Sequence, residues 1–110
     1  MMIPTIDEAR RVTSKKYEAN VFEWKNILTD CIAHSISAAT VVGKYRCTVD
    51  FTCYAQDEAF HDALNEIGNS MEQQGYDVLY TTSGDEAEDS LVCENIRVSW
   101  FEVNKYEYYW

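Results

Sequence analysis

Proline and glycine are scarce in this chain. One Pro and four Gly in 110 residues exclude collagen-like and low-complexity sequence. Basic residues are scarce as well: nine Lys plus Arg stand against 19 Asp plus Glu, a net charge of −10. Free duplex DNA is therefore not an expected ligand, because phosphate binding needs a basic footprint. No apolar run approaches the roughly 18 residues of a membrane span. Asp7, Glu8, Arg10 and Arg11 interrupt any apolar segment of a leading signal peptide, so none is expected. There is no G-x-S-x-G, no Gly-rich phosphate loop and no H-E-x-x-H. No catalytic residue and no cofactor is expected, and the chain reads as a non-enzyme.

What is present is material for a core. Apolar residues make up 46% and aromatics 14%, too much for a disordered acidic tail. A chain of this length buries roughly 65% of its unfolded surface on folding. Residues 1–110 read as a single domain. The four cysteines, Cys31, Cys47, Cys53 and Cys93, show no CxxC spacing. Cys31 and His34 share a helix face, but a zinc site needs two more converging ligands. Free buried thiols in a reducing cytoplasm are the expectation, with no metal. His61 has Glu58 and Asp62 as helix neighbours, as many solvated histidines do.

Thr5 with Glu8 forms a capping box, and apolar residues then recur near the 3.6 period at Ile6, Ala9, Tyr17, Val21, Trp24, Leu28, Cys31, Ile32 and Ile36. This predicts a helix over 5–42, stopped by Gly43. Such a helix is roughly 55 Å long, while a domain of this size has a radius of gyration of about 13 Å. Its first turns must project, dock on a second copy, or be turned back by a break near Thr29-Asp30. Residues 44–54 alternate as a strand, with Cys47, Val49, Phe51 and Cys53 inward and Arg46, Thr48, Asp50, Thr52 and Tyr54 outward. Asp57 caps a second helix over 57–74, whose stripe is Phe60, Leu64, Ile67 and Met71 and whose end is Gly75. Residues 77–82 form a second strand, 83–94 an acidic loop, 95–103 a third strand with Ile96, Val98 and Trp100 inward, and 104–110 an aromatic tail. The expected fold is α+β, in the order αβαββ: a long N-terminal helix and a three-stranded mixed sheet with the helices on one face. The first two strands form a right-handed βαβ unit. The open face carries Arg46, Asp50, Tyr54, Arg97 and Phe101.

Charge is unevenly spread. Residues 1–46 hold seven basic and five acidic side chains, and residues 47–110 hold two and 14. The basic side chains Arg10, Arg11, Lys15 and Lys16 are a candidate contact for an anion or for another copy. The acidic density peaks at Asp85, Glu86, Glu88 and Asp89, candidates for engaging a basic partner. Tyr108, Tyr109 and Trp110 are interface-type residues and candidate partner contacts.

Three segments carry a resemblance: Ser35-Ile36-Ser37-Ala38-Ala39 through Gly43-Lys44-Tyr45-Arg46-Cys47-Thr48-Val49, then Gly75-Tyr76-Asp77-Val78, then Ile96-Arg97-Val98-Ser99-Trp100. In these the chain resembles small uncharacterised α/β proteins of tailed bacteriophages. The resemblance implies a phage gene expressed in the host bacterial cytoplasm, or a virion component, and assigns no functional residue. The expected function is inhibition of a host defence or nucleic-acid-handling protein through the acidic surface. The alternatives are a virion structural or assembly protein and an oligomeric nucleotide-signal sponge. A host protein is the expected partner, with self-association, as a dimer first of all, and no membrane.

Overall fold

The computed structural model describes residues 2–83 and 92–101. Five elements follow in the order α1 (Ile6–Val41), β1 (Arg46–Asp50), α2 (Glu58–Gln73), β2 (Asp77–Ser83) and β3 (Val92–Ser99). The chain is an α+β fold with an open three-stranded sheet.

Each helix is bounded by the residues the sequence offers for the task. Thr5 Oγ1 accepts from the Glu8 amide at 3.2 Å, and Asp57 Oδ1 accepts from the Phe60 amide at 2.8 Å. These bonds satisfy amides that the first helical turn leaves unpaired. Both helices end in the same motif. Gly43 (φ 76°) and Gly75 (φ 103°) take the left-handed conformation. The amides that follow them return to the last turn, Lys44 to Ala39 at 2.9 Å and Tyr76 to Met71 at 3.1 Å.

The sheet order is β1-β3-β2, and both ladders are antiparallel. β1 and β2 run in the same direction, as a strand–helix–strand unit requires. β3 lies between them, however, so the mixed pairing expected of the sequence is not made. β3 also begins at Val92 rather than at residue 95, because Cys93 and Val92 pair with Thr82 and Ser83 beyond an irregularity at Thr81/Thr82. The expected acidic loop is shortened accordingly, and residues 84–91 of it lie outside the described residues.

Register places Cys47, Val98 and Val78 in one row and Val49, Ile96 and Tyr80 in the next, all on one face. That face shares a single core with Leu28 and Ile32 of α1 and with Phe60, Leu64, Ile67 and Met71 of α2. Leu28, Phe51, Phe60, Ile96 and Val98 are fully buried, each contributing about 1.5–3 kcal/mol by removal from water. Trp24 sets its ring edge-to-face on Phe60 (5.1 Å, 87°) and on Tyr54 (5.7 Å, 86°), tying α1 to α2 and to the turn after β1.

That turn corrects the expected strand over 44–54. Asp50 Oδ1 accepts from both the amide and the hydroxyl of Thr52, at 2.8 and 2.7 Å. The Tyr54 amide then reaches back to the Phe51 carbonyl at 3.1 Å. The strand therefore ends at Asp50; Phe51 inward and Thr52 outward still follow the alternation, which fails at Cys53. Tyr54 returns to the core side rather than the open face, and Cys53 is exposed rather than inward. Gln56 continues the sheet with a side chain instead of backbone. Its Oε1 accepts from the Cys93 amide (2.8 Å), and its Nε2 donates to the carbonyls of Cys93 (2.7 Å) and Phe51 (3.1 Å).

Helix α1 neither breaks nor turns back. The molecule measures 66 × 28 × 23 Å, with a radius of gyration of 17.8 Å. This is well above the roughly 13 Å of a spherical domain of this length. α1 joins the core only from about Tyr17 onward: residues 6–16 are all exposed.

Candidate functional surfaces

Two surfaces stand out, one on each helix. The first is the projecting part of α1. Arg10, Arg11, Lys15 and Lys16 are exposed on it, with no acidic residue between positions 9 and 17. Among the described residues the ion pair is Lys25–Glu66 at 3.3 Å, which leaves the four basic side chains without a carboxylate within salt-bridge distance. At 100° per residue, Arg11 and Lys15 share one face. Arg10 lies to one side of them and Lys16 to the other. The four therefore fan around the helix rather than converge into a cradle for one anion. Ile6, Val12 and Phe22 are more than half exposed beside them.

The second surface is the outer face of α2. Glu58, Asp62, Glu66 and Glu72 are exposed there, and the helix holds no Lys or Arg. Asp57 at the cap adds a fifth carboxylate at the same end. Only two of these side chains are engaged by α1: Glu66 by Lys25, and Asp62 by the Tyr17 hydroxyl, which donates to it. Asp85, Glu86, Glu88 and Asp89, the expected acidic site, lie outside the described residues, as do Tyr108, Tyr109 and Trp110. The acidic face of α2 is readable in the sequence from the absence of Lys and Arg over 57–75, although the acidic residues stand closer together over 85–89. Val12 and Phe22 were missed because they fall off the apolar stripe that defines α1.

Between the helices lies an open groove of about 350 Å³, lined among others by Lys25, Ile32, Ile36, Glu66, Met71 and Tyr76. Its floor is apolar, and it has no nucleophile paired with a base.

The four thiols are free, but the expected burial holds only for Cys93: Cys31 and Cys47 are half-buried and Cys53 is exposed. Burial pushes Cys47 and Cys93 up from their ordinary range, which depletes the reactive thiolate. Cys31 Sγ lies 3.1 Å from the Tyr54 hydroxyl. The hydrogen bond with Cys31 leads the causes that push the Tyr54 phenol up to about 12, followed by desolvation and by the nearby Cys31 and Cys53. Asp50 is held below the usual carboxylate range by its bonds from Thr52. No three His, Cys, Asp or Glu side chains gather as a metal-ligand set among the described residues. None of the helices among those residues is long and apolar enough to cross a membrane.

On the open sheet face, Thr48, Arg97 and Leu79 lie in one row and Arg46, Ser99 and Asp77 in the next. Phe101 stacks on Tyr45 at the end of this sheet (5.9 Å, 25°). Of the residues expected on the open face, Arg46, Asp50 and Arg97 are found there by register. No protein-family model matches the chain, no curated protein matches it in sequence, and no solved structure matches it in fold.

Proposed function

We propose that this chain is a non-enzymatic binding protein of bacteriophage origin, working in the host bacterial cytoplasm. It occupies a basic, nucleic-acid-handling host protein through an acidic surface. The observation that carries the reading is the outer face of α2, with Glu58, Asp62, Glu66 and Glu72 exposed and no Lys or Arg on the helix. A row of fixed carboxylates can fill a channel built for phosphates, and like charge excludes acidic proteins from the same surface. Asp85, Glu86, Glu88 and Asp89 extend the same sign of charge along the sequence.

The test is capture of host proteins on the tagged chain at low and high salt, repeated with a Glu58→Lys/Glu72→Lys variant and with an Asp85→Asn/Glu86→Gln/Glu88→Gln/Asp89→Asn variant. A basic protein that elutes with salt and is lost in either variant supports the proposal. Binding insensitive to salt and to both variants sinks it, because exposed charge pairs are screened.

A second reading, a virion assembly protein, is favoured by the projecting first half of α1, which is suited to docking along another subunit. Finding the chain in purified particles supports it, and its absence from them removes it.

A further inference from the structure

We propose that the first half of α1 is a self-association surface, on which the same stretch of a second copy docks antiparallel. Val12, Lys15, Ala19 and Phe22 are all exposed. Their spacings of three, four and three place them in one stripe, the pattern of a coiled-coil seam. By helical arithmetic this stripe lies away from the face of Tyr17, Val21, Trp24 and Leu28 that joins the core. A second helix can therefore reach it without touching the rest of its own fold.

The stripe contains its own orientation signal. In a parallel in-register pair, Lys15 meets Lys15, Arg11 meets Lys16 and Glu18 meets Glu23 of the other copy, and like charges at a seam are unfavourable. In an antiparallel pair centred on Tyr17, Val12 lies opposite Phe22 and Lys15 opposite Ala19, beside Glu18. Arg11 then lies on the same side of the seam as Glu18 of the other copy, and Lys16 on the opposite side with Glu23. Basic residues of one copy thus meet acidic residues of the other on both sides of a two-fold axis. This closes the contact as an isologous dimer rather than an open chain. The pairing covers two of the large apolar side chains that α1 exposes, Val12 and Phe22. It also supports helical turns that are otherwise too few to be stable alone.

The experiment is sedimentation equilibrium on the full-length chain and three surface variants, Phe22→Asp, Lys15→Glu and Lys15→Glu/Glu18→Lys, with circular dichroism as the check on folding. All changed residues are exposed, so the fold is retained. The wild type sediments as a dimer. Phe22→Asp abolishes the dimer, Lys15→Glu weakens it by roughly tenfold, and the charge swap restores most of that loss. A wild type that stays monomeric at every concentration overturns the proposal, and so does a dimer unmoved by Phe22→Asp. A monomer that instead binds polyphosphate through Arg11 and Lys15 overturns it in favour of an anion site.

Discussion

The hydroxyl of Tyr80 on β2 occupies the space that a Cβ on Gly68 of α2 would take. Glycine in a helix interior costs about 1 kcal/mol relative to alanine, and this contact is what it permits: α2 and the edge strand close together around the phenol. Desolvation there, followed by Glu72 and Cys93, pushes the Tyr80 phenol above its ordinary range. Gly68→Ala should therefore destabilise the chain by about 1–2 kcal/mol, overpacking outweighing the gain in helix propensity. In a Tyr80→Ala background the same change should stabilise by about 1 kcal/mol. Urea unfolding of the four members of this cycle checks it; additive effects would place Tyr80 elsewhere.

Much of the fold is legible in the sequence for local reasons. Thr5 and Asp57 sit just before periodic apolar runs, and Gly43 and Gly75 just after them, so caps and stops are written in neighbouring residues. The stripe Phe60, Leu64, Ile67 and Met71 is buried as its spacing requires. Where the reading departs from the structure, the deciding contact is remote or is made by a side chain. Alternation from Cys47 onward continues in sequence through Tyr54. In space it holds only through Thr52, whose bonds to the Asp50 carboxylate turn the chain back before Cys53. The place of β3 between β1 and β2 is set by pairing across the whole chain, which no local pattern encodes. The candidate surfaces were half legible. The exposed quartet Arg10, Arg11, Lys15 and Lys16 follows from its composition. Val12 is available because α1 outruns the body it packs on, and Phe22 because it lies on the side of α1 away from the stripe that packs.

Gln56 offers a sharper test of the core's polar seam. Its amide replaces a strand residue opposite Cys93, accepting one bond and donating two. Gln56→Ala should cost about 2–3 kcal/mol, since it leaves the Cys93 amide and carbonyl unpaired. Gln56→Glu keeps the acceptor but turns a carboxylate toward two carbonyl oxygens. It should be destabilised at neutral pH and recover part of the loss as the pH falls and the carboxyl takes up a proton. Thermal melts from pH 7 to pH 4 measure this, and a loss for Gln56→Glu that does not change with pH counts against the geometry.

Tyr54 should ionise well after an ordinary tyrosine. Its folded value is raised to about 12, chiefly by the hydrogen bond with Cys31. An unfolded tyrosine titrates near 10. The protonated phenol is the favoured folded form, so its contribution to stability is complete below about pH 10 and is lost as the pH rises through about 12. Absorbance titration at alkaline pH should show a phenol titrating near 12, and Cys31→Ala should bring it down. If Cys31→Ala leaves the late phenol in place, the thiol is not its cause.

The acidic face of α2 should also be visible in stability. Asn69 is exposed, three residues after Glu66 and three before Glu72. A lysine there can pair with both, and helix-surface pairs at this spacing contribute about 0.2–0.5 kcal/mol each. Asn69→Lys should therefore raise the melting temperature at low salt by roughly 2–5 °C. The gain should shrink as salt is added, because both partners are exposed and screened. Asn69→Gln, which brings no charge, should leave the melting temperature nearly unchanged. The same lysine lowers the negative potential that the proposed basic partner would meet. Asn69→Lys should then weaken salt-sensitive capture of that partner while stabilising the fold. A variant that gains stability and loses capture assigns the carboxylates of α2 to binding at the expense of stability. One that gains stability and keeps its capture leaves them a role in solubility alone.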